Sequence, residues 1–262
     1  MQERHQNREK YFKEQIVTTE KYVIPYIENH LNISPYTRVL EIGCGEGGNL
    51  KPFLDIGCQS VGIDLSENKI NVGNSVFEND PNQSNLSLFC KDIYDSSPEE
   101  LGGAFDIIFM RDVIEHIHNQ EKFMAYVKSF LKDDGLFFLG FPPWQNPFGG
   151  HQQTCKGKLS SKIPYYHLLP MSLYKGALKL FGENDATIAS LVEIKETGIS
   201  IERFERILKT ENYRTVQKTH YFINPNYEIK FGLKPRVQVG LISAIPWVRN
   251  FFTTAVYYLI KK

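Results

Sequence analysis

Residues Thr37–Leu50, TRVLEIGCGEGGNL, decide how this chain of 262 residues is expected to fold. Val39, Leu40 and Ile42 form a short apolar run that is typical of a strand buried on both faces. Four glycines follow within six residues, and a helical pattern begins at Leu50. Because glycine has no side chain, such a turn brings bare backbone and the N–H groups of a helix start close to a ligand. The stretch therefore predicts a strand, a ligand-binding turn and a helix.

Glu41 stands two residues before the first of these glycines and indicates the charge of the ligand. A carboxylate there suits a ligand that carries an ammonium group, whereas it would repel a pyrophosphate. Gly43, Gly45 and Gly48 nevertheless satisfy the GxGxxG spacing of dinucleotide-binding proteins, so an NAD(P)-dependent oxidoreductase is an alternative interpretation. Glu41, the long helical lead before the first strand and the lack of a sizeable catalytic domain all count against it.

The rest of the chain alternates strand and helix patterns. Six further strands are predicted, and several are separated by helical patterns such as the one that begins after Ser66 and the one that ends at Asp134-Gly135: Gln59–Leu65, Leu86–Asp92, Phe105–Met110, Leu136–Phe141, Tyr213–Ile223 and Phe252–Ile260. This alternation indicates βαβ units and a parallel sheet. We therefore expect an α/β, Rossmann-like doubly wound fold with a seven-stranded, mostly parallel sheet.

Composition and charge restrict the class of protein. The formal net charge is zero, which argues against a nucleic-acid partner. The four cysteines form no close pair and no metal-type spacing, which favours reduced thiols in a cytoplasmic protein. The polar start MQERHQNREK is unlike a secretory signal, and no apolar run approaches the roughly 20 residues that a transmembrane segment requires. We expect a cytoplasmic enzyme without a transmembrane segment.

Acidic residues end two further strands at the edge where ligands of such sheets bind. Asp64 lies about 20 residues beyond the glycines, where a carboxylate accepts hydrogen bonds from both hydroxyls of a ribose. Asp92 is placed to accept one from an adenine amino group, with Leu65 and Ile93 on either side of the ring. Asp64 and Asp92 are alternatively solvated turn residues. Three acids on three successive strand ends, with Glu41, make that alternative weaker.

Five segments together resemble the ordered motifs of class I S-adenosylmethionine-dependent methyltransferases: VLEIGCGEGGNL, GIDLS, CKDI, FDIIFMRDVIEHI and DGLFFLGFPP. The resemblance covers roughly Thr37–Pro143, and Ser200–Lys262 is consistent with the family's last helix and two strands, which usually form an antiparallel hairpin. It implies S-adenosyl-L-methionine as the cofactor and an antiparallel last strand. It also implies the cofactor contacts: the methionine moiety at Glu41, Gly43 and Gly45, the ribose at Asp64, the adenine at Asp92 and Ile93, and the sulfonium at Met110 and Arg111.

These assignments divide the chain into three parts. Residues 1–36 are expected to form an N-terminal helical cap, with one helix or a helix pair over Arg8–Leu31 that is broken near Pro25. The cap packs on the sheet, or alternatively places Tyr11 or Phe12 over the cofactor. Residues 37–142 and 199–262 form the methyltransferase domain, and residues 143–198 form an inserted substrate lid with two short helices.

Three histidines are candidates for a base that assists transfer to a hydroxyl group. His116 follows the fourth strand, whereas His151 and His167 belong to the predicted lid. A base is needed only where the nucleophile is a hydroxyl, because methyl transfer from a sulfonium otherwise requires alignment alone. Each ring is alternatively a structural histidine that is hydrogen-bonded within the fold.

Asp112, Glu115 and His116 also allow a second interpretation. Asp112 with Glu115 three residues later reads as a capping box at a helix start. The stretch is similar to the EVVEHV-type segment of ubiquinone-biosynthesis O-methyltransferases, in which two carboxylates and an imidazole have been assigned a divalent metal. Here the first acid is Asp rather than Glu. We favour the capping box and predict no metal.

The acceptor is expected to be a small, partly apolar molecule that is methylated on oxygen. Aromatic and apolar residues of the lid suggest such a cavity, although they equally suit a small core of the lid itself: Phe141, Trp144, Phe148, Tyr165, Tyr166, Leu169 and Tyr174. A homodimer is possible. A protein that binds the cofactor without catalysis remains an alternative. The run Phe252–Ile260 is alternatively a membrane-surface segment, since Trp247, Phe251 and terminal lysines flank it.

Overall fold

The computed structural model describes residues 8–262, and its strands form one sheet in the order β3-β2-β1-β4-β5-β8-β6-β7. The strands are β1 (Arg38–Ile42), β2 (Gln59–Asp64), β3 (Leu86–Cys90), β4 (Phe105–Arg111), β5 (Leu131–Phe141), β6 (Arg214–Ile223), β7 (Arg236–Val237) and β8 (Ala255–Lys261). β1 to β5 pair in parallel, and β8 runs antiparallel to β5 and β6. The predicted Rossmann-like fold is confirmed. The sheet has eight strands rather than seven because the two-residue β7 adds an edge next to β6.

Two helices precede β1, and the other helices lie between successive strands of the chain. The helices are α1 (Arg8–Thr18), α2 (Ile24–Glu28), α3 (Lys51–Ile56), α4 (Glu67–Phe77), α5 (Gln120–Val127), α6 (Met171–Leu180), α7 (Asp185–Thr197), α8 (Ile201–Thr210), α9 (Asn226–Phe231), α10 (Gly240–Ser243) and α11 (Val248–Phe251). Pro246 lies between the short helices α10 and α11. Within residues 8–262, none of the helices combines the length and the apolarity needed to cross a bilayer.

The predicted break near Pro25 is a widened turn rather than an interruption of the helix. A π-helical turn, Thr19–Val23, joins α1 directly to α2. Proline has no N–H to donate to the carbonyl four residues earlier, and a π turn is one way in which a helix accommodates such a gap. The first seven residues of the predicted cap lie outside the described residues.

The prediction that a helix extends to Asp134-Gly135 is wrong. α5 ends at Val127, and β5 already begins at Leu131, which pairs with Phe105. A Cβ atom on Gly135 would lie 2.9 Å from the Phe105 carbonyl oxygen, so glycine allows the two strands to approach at the point where their register shifts. Asp134-Gly135 is therefore an irregularity inside a strand and not a turn.

Apolar side chains pack on both faces of the sheet, and the inserted segment (residues 143–198) has a core of its own. In that small core Tyr174, Leu178 and Leu191 are almost fully buried, and the rings of Tyr166 and Tyr174 lie 5.5 Å apart. Most aromatic residues of the inserted segment thus pack on each other, as one of the two interpretations expects. The carboxyl ends of β1, β2 and β4 remain open and meet at one edge of the sheet.

Candidate functional site

A cavity of about 820 Å³ opens at this carboxyl edge. Its wall comprises the glycine turn after β1, the ends of β2 and β4, the turn after β3, the start of α1 and one residue of α7. Most of the residues predicted to bind the cofactor line it: Gly43, Gly45, Asp64, Leu65, Asp92, Ile93 and Arg111. The sequence motifs therefore meet in one cavity, at the edge where ligands of parallel sheets bind.

Asp64 holds the glycine turn in place. Gly45 N donates to one carboxylate oxygen of Asp64 at 2.9 Å, and Ser66 N donates to the other at 2.8 Å. Gly43 N donates to the carbonyl of Ile63 at 2.8 Å. Gly43 and Gly45 have φ angles of 75° and 58°, a region in which glycine is favoured. Since a carboxylate oxygen has two lone pairs, Asp64 can still accept hydrogen bonds from a ligand in the cavity.

Asp92, which follows β3, likewise accepts a backbone N–H group and lines the cavity. One of its carboxylate oxygens accepts a hydrogen bond from Tyr94 N at 3.0 Å, so it caps a short 3₁₀ turn. It also lines the cavity, next to the buried Ile93 and across from the exposed Leu65. The turn interpretation and the ligand interpretation of these acids are therefore compatible.

Glu41 lies behind the cavity wall, although the resemblance implies a direct contact with the cofactor. Its side chain is buried, and Asn49 Nδ2 donates to Oε1 at 2.6 Å. No residue within 8–262 hydrogen-bonds to Oε2, and burial raises the pKa of this carboxyl to about 8. Asn49 lines the cavity in its place. Asn49 belongs to the glycine stretch, but no motif marks it as a residue of the site.

Met110 and Arg111 have different positions because successive residues of a strand point to opposite faces. Met110 is buried in the apolar core and is not among the described residues of the cavity wall. Arg111 ends β4 and lines the cavity, with its side chain almost fully buried. Its Nη1 donates to no acceptor in the described part of the chain. A ligand with a carboxylate would satisfy this buried donor.

Glu115, His116 and His151 form a cluster after β4, and of these three residues His116 lines the cavity. His116 lines the cavity, and its ring centroid lies 5.0 Å from that of His151, which belongs to the inserted segment. Burial lowers the pKa of His116, so its imidazole is neutral near pH 7. Glu115 is buried, and its carboxylate has no hydrogen-bond donor among the described residues. Burial also raises the pKa of Glu115 well above its usual range.

The favoured capping box of Asp112 and Glu115 is absent. Val113, not Asp112, precedes the short turn after β4, and no side chain of the described residues caps that turn. Instead, ligand atoms of Glu115, His116 and His151 lie within 4.8 Å of one another, a group of one carboxylate and two imidazoles. These three residues fit a divalent cation. The trio differs from the one considered from the sequence, because His151 takes the place of Asp112.

His167 is a structural histidine rather than a residue of the cavity wall. It is fully buried, and its Nε2 donates to the carbonyl of Trp144 at 2.9 Å. Its Nδ1 lies 3.1 Å from Gln152 Nε2 and accepts a hydrogen bond from it. Both ring nitrogens are thus used within the inserted segment, and burial lowers the pKa of His167 to about 4. The prediction of a catalytic role finds no support in this position.

The inserted segment and α1 both reach the cavity. Thr197 Oγ1, in α7, donates to the carbonyl of Glu115 at 2.6 Å, and Glu193 of the same helix lines the cavity beside His118. Tyr11 lines the cavity from α1, whereas the ring of Phe12 packs 5.8 Å from Phe77. No motif of the sequence marked Glu193 or His118 as residues of the site.

Comparison with known proteins identifies the domain. A family model described as "Methyltransferase domain" matches residues 7–151, which is more than half of the chain. The ubiquinone biosynthesis O-methyltransferase of Bartonella bacilliformis is 27% identical over 122 residues, 46% of this chain and 48% of the relative. The protein of the same name from Agrobacterium fabrum is 31% identical over 101 residues, 38% of this chain and 39% of the relative. The chain spans less than half the length of these relatives.

Solved structures show the same fold. A geranyl diphosphate C-methyltransferase from Streptomyces coelicolor A3(2), in complex with S-adenosyl-L-homocysteine, has a TM-score of 0.56 at 14% identity, covering 92% of this chain and 80% of the other. A putative sarcosine dimethylglycine methyltransferase from Galdieria sulphuraria has a TM-score of 0.60 at 12% identity, with coverage of 94% and 86%. The chain belongs to the methyltransferase-domain family and has S-adenosyl-L-methionine as its cofactor.

Proposed function

We propose that this enzyme methylates a hydroxyl oxygen of a small, partly apolar acceptor. The observation that carries the proposal is the contact of His116 with His151 at the cavity wall, beside the unpaired carboxylate of Glu115. A neutral imidazole in that position suits a hydroxyl nucleophile, which must lose a proton. The name of the two relatives described above is consistent with an oxygen acceptor.

The cavity residues at the ends of β2, β3 and β4 fit the cofactor. We assign the ribose hydroxyls to Asp64 and the adenine to Asp92, with Leu65 and Ile93 on the two sides of the ring. Arg111 suits the carboxylate of the methionine moiety better than the sulfonium, because a guanidinium repels a cation and its Nη1 lacks an acceptor. Glu41 acts through Asn49, to which it is hydrogen-bonded.

Methyl transfer then follows from alignment. The acceptor oxygen attacks the methyl carbon in line with the carbon–sulfur bond, whose electron pair returns to sulfur and leaves neutral S-adenosylhomocysteine. His116 takes the hydroxyl proton, and His151 holds the ring of His116 in position. The inserted segment acts as the lid of the acceptor site, since its residue Glu193 lines the cavity.

A divalent cation is a second candidate for the wall that contains His116. Glu115, His116 and His151 would hold it, and it would supply Lewis acidity toward an acceptor hydroxyl. The observation in its favour is the buried carboxylate of Glu115, which has no donor among the described residues and which a cation would neutralise.

His116→Asn tests the assigned base. We expect kcat to fall by about 10²–10⁴-fold while the affinity for S-adenosylhomocysteine stays unchanged, because the loss concerns proton transfer and not cofactor binding. His118→Asn is the matched control, since His118 lines the same cavity but lies outside the trio. Equal kcat values for the two variants would exclude His116 as the base.

A panel of hydroxylated acceptors tests the activity itself, with and without EDTA. Formation of S-adenosylhomocysteine from a phenol or an alcohol supports oxygen methylation, and a loss of turnover with EDTA that Mg²⁺ or Zn²⁺ restores supports the cation. Turnover confined to amine or thiol acceptors would contradict the assigned acceptor atom. Cofactor binding without any turnover would favour the non-catalytic alternative.

A further inference from the structure

The connection between β6 and β8, residues 224–254, is called the C-terminal loop here. β6 runs parallel to β5 and ends at Ile223, and β8 runs back from Ala255, so the C-terminal loop lies at the carboxyl edge of the sheet. The cofactor cavity opens at the same edge. Tyr165 of the inserted segment donates to the carbonyl of Phe251 at 3.2 Å and ties the loop to that segment.

The loop inverts the usual distribution of side chains. Its polar residues Gln238, Arg249, Asn250 and Thr253 are buried against the protein. Its apolar residues face outward, and eleven large ones in and next to the loop are exposed: Phe222, Phe231, Leu233, Val237, Val239, Leu241, Ile245, Trp247, Val248, Phe251 and Phe252. Single exposed apolar residues are ordinary, whereas a dense set of this kind marks an interaction surface.

Hydrogen bonds hold this arrangement. Asn250 Nδ2 donates to Glu202 in α8, and Trp247 N donates to the same carboxylate group at 2.8 Å. His220 Nδ1 lies 2.7 Å from the hydroxyl of Ser243. Trp247 has a φ of 66° and 58% of its surface exposed, so the backbone keeps this large side chain directed away from the protein. The apolar surface is thus built by buried polar contacts and does not result from fraying.

The surface is cationic. The sequence contains no Asp or Glu from Ile229 to Lys262, although 30 acids are spread over the 262 residues. Lys234 and Arg236 are exposed beside the apolar residues. The nearby acids Glu202 and Glu205 are paired with Arg249 and, for Glu205, also with Lys218. Exposed aromatic and aliphatic groups next to cations fit the interface of an anionic lipid bilayer.

We propose that the C-terminal loop docks this methyltransferase on an anionic membrane surface, with the apolar residues inserted among the headgroups. A second copy of the chain fits less well, because a two-fold contact brings the same cationic patch of both copies together. Docking by this loop turns the cavity edge of the sheet toward the lipid. The inference does not depend on the acceptor or on the base proposed above.

Flotation of the full chain with lipid vesicles tests the apolar part of the surface. We expect binding to phosphatidylcholine vesicles that contain roughly one third phosphatidylglycerol and little binding to pure phosphatidylcholine. Leu241→Glu should weaken the binding about tenfold or more. Leu180→Glu in α6 is the matched control, since Leu241 is 77% exposed and Leu180 86% exposed, and it should leave binding unchanged. Unchanged affinity for S-adenosylhomocysteine confirms that each variant is folded.

A charge variant provides an independent test. Lys234→Gln with Arg236→Gln should reduce binding to the anionic vesicles and remove much of its salt dependence, whereas Lys175→Gln with Lys179→Gln on α6 should not. No binding to anionic vesicles at low salt would overturn the proposal, as would equal losses in the loop variants and their controls. A dimer in solution that Leu241→Glu dissociates, without vesicle binding, would identify the surface as an interface between copies.

Discussion

The two walls of the cavity are built in opposite ways. On one wall, backbone N–H groups of Gly45 and Ser66 bind the carboxylate of Asp64, so its charge is hydrogen-bonded in the folded chain. Behind the wall that contains His116, the carboxylate of Glu115 is buried without a donor among the described residues, beside the desolvated ring of His116. Burial of an unpaired polar group costs stability, and such groups persist where function requires them. The first wall therefore stabilises the fold, and the second reduces its stability.

Glu41→Gln is the strongest test of this contrast. Glu41 lies behind the wall that contains Asp64, but its carboxyl is buried like that of Glu115. Its folded pKa of about 8 exceeds that of an unfolded carboxyl, so the native state holds a proton that the unfolded state releases. The free energy of unfolding should fall as pH rises from about 5 to about 8, by at most about 1.4 kcal/mol per pH unit, and this slope should be smaller in Glu41→Gln. Urea denaturation at several pH values measures it; parallel curves for the two proteins would contradict the prediction.

Asp64→Ala should break the first wall. Loss of the carboxylate removes the acceptor of two backbone N–H groups. Because we propose that Asp64 also binds the cofactor ribose, we expect the affinity for S-adenosylhomocysteine to fall by about 1–3 kcal/mol. Titration calorimetry measures the change. Asp106→Ala is the control: Asp106 also accepts a backbone N–H, from Arg38 at 2.9 Å, but lies at the start of β4, away from the cavity. Equal affinity of Asp64→Ala and the wild type would remove Asp64 from the cofactor site.

Glu115→Gln should increase the stability of the folded protein. The metal-free protein should gain about 1–2 kcal/mol of stability near pH 8, because a neutral amide replaces a buried acid that must either ionise or hold a proton there. The raised pKa of Glu115 means that this gain grows as pH increases from 5 to 8. Chemical denaturation measures the gain, and Glu193→Gln, on the same cavity, should show none. A less stable Glu115→Gln protein would show that the carboxylate is paired in the folded chain.

Gly176→Ala should have the smallest effect and concerns only the inserted segment. Gly176 lies on the exposed side of α6, and an added Cβ atom would meet nothing within 4 Å. Replacing a helical glycine by alanine should raise the stability by about 0.5–1 kcal/mol without any change in cofactor affinity. Thermal unfolding monitored by circular dichroism measures the gain. A change in cofactor affinity would show that α6 is coupled to the cavity.

The sequence was sufficient to predict the wall around Asp64, because the residues of this wall are close together along the chain. Gly43, Gly45 and Asp64 belong to one strand–turn–helix–strand unit, in which local pattern and spacing determine position. Met110 and Glu41 were less well predicted, because a motif identifies the end of a strand but not which face each side chain occupies. The Asp134-Gly135 pair indicated a turn from its local chemistry, and the pairing of Leu131 with Phe105 overrode that preference.

The cluster of Glu115, His116 and His151 could not be predicted, because it depends on long-range contacts that no local sequence pattern contains. His116 and His151 are 35 positions apart in the sequence and meet because the inserted segment folds back over the end of β4. His151 and His167 looked equivalent as sequence candidates, yet hydrogen bonds from Gln152 and to Trp144 fix His167 inside the segment. The outward apolar face of the C-terminal loop was equally hidden, because its alternation of polar and apolar residues does not reveal which set is buried.

The hydrogen bonds that Asp64 accepts within the chain bear on turnover. Both of its oxygens accept backbone N–H groups of the chain itself, so intramolecular hydrogen bonds fix the shape of the glycine turn. Little conformational entropy is then lost on association, and exchange of the spent product for fresh donor requires no refolding of the turn. The glycine turn therefore keeps one conformation while the product leaves and the next donor binds.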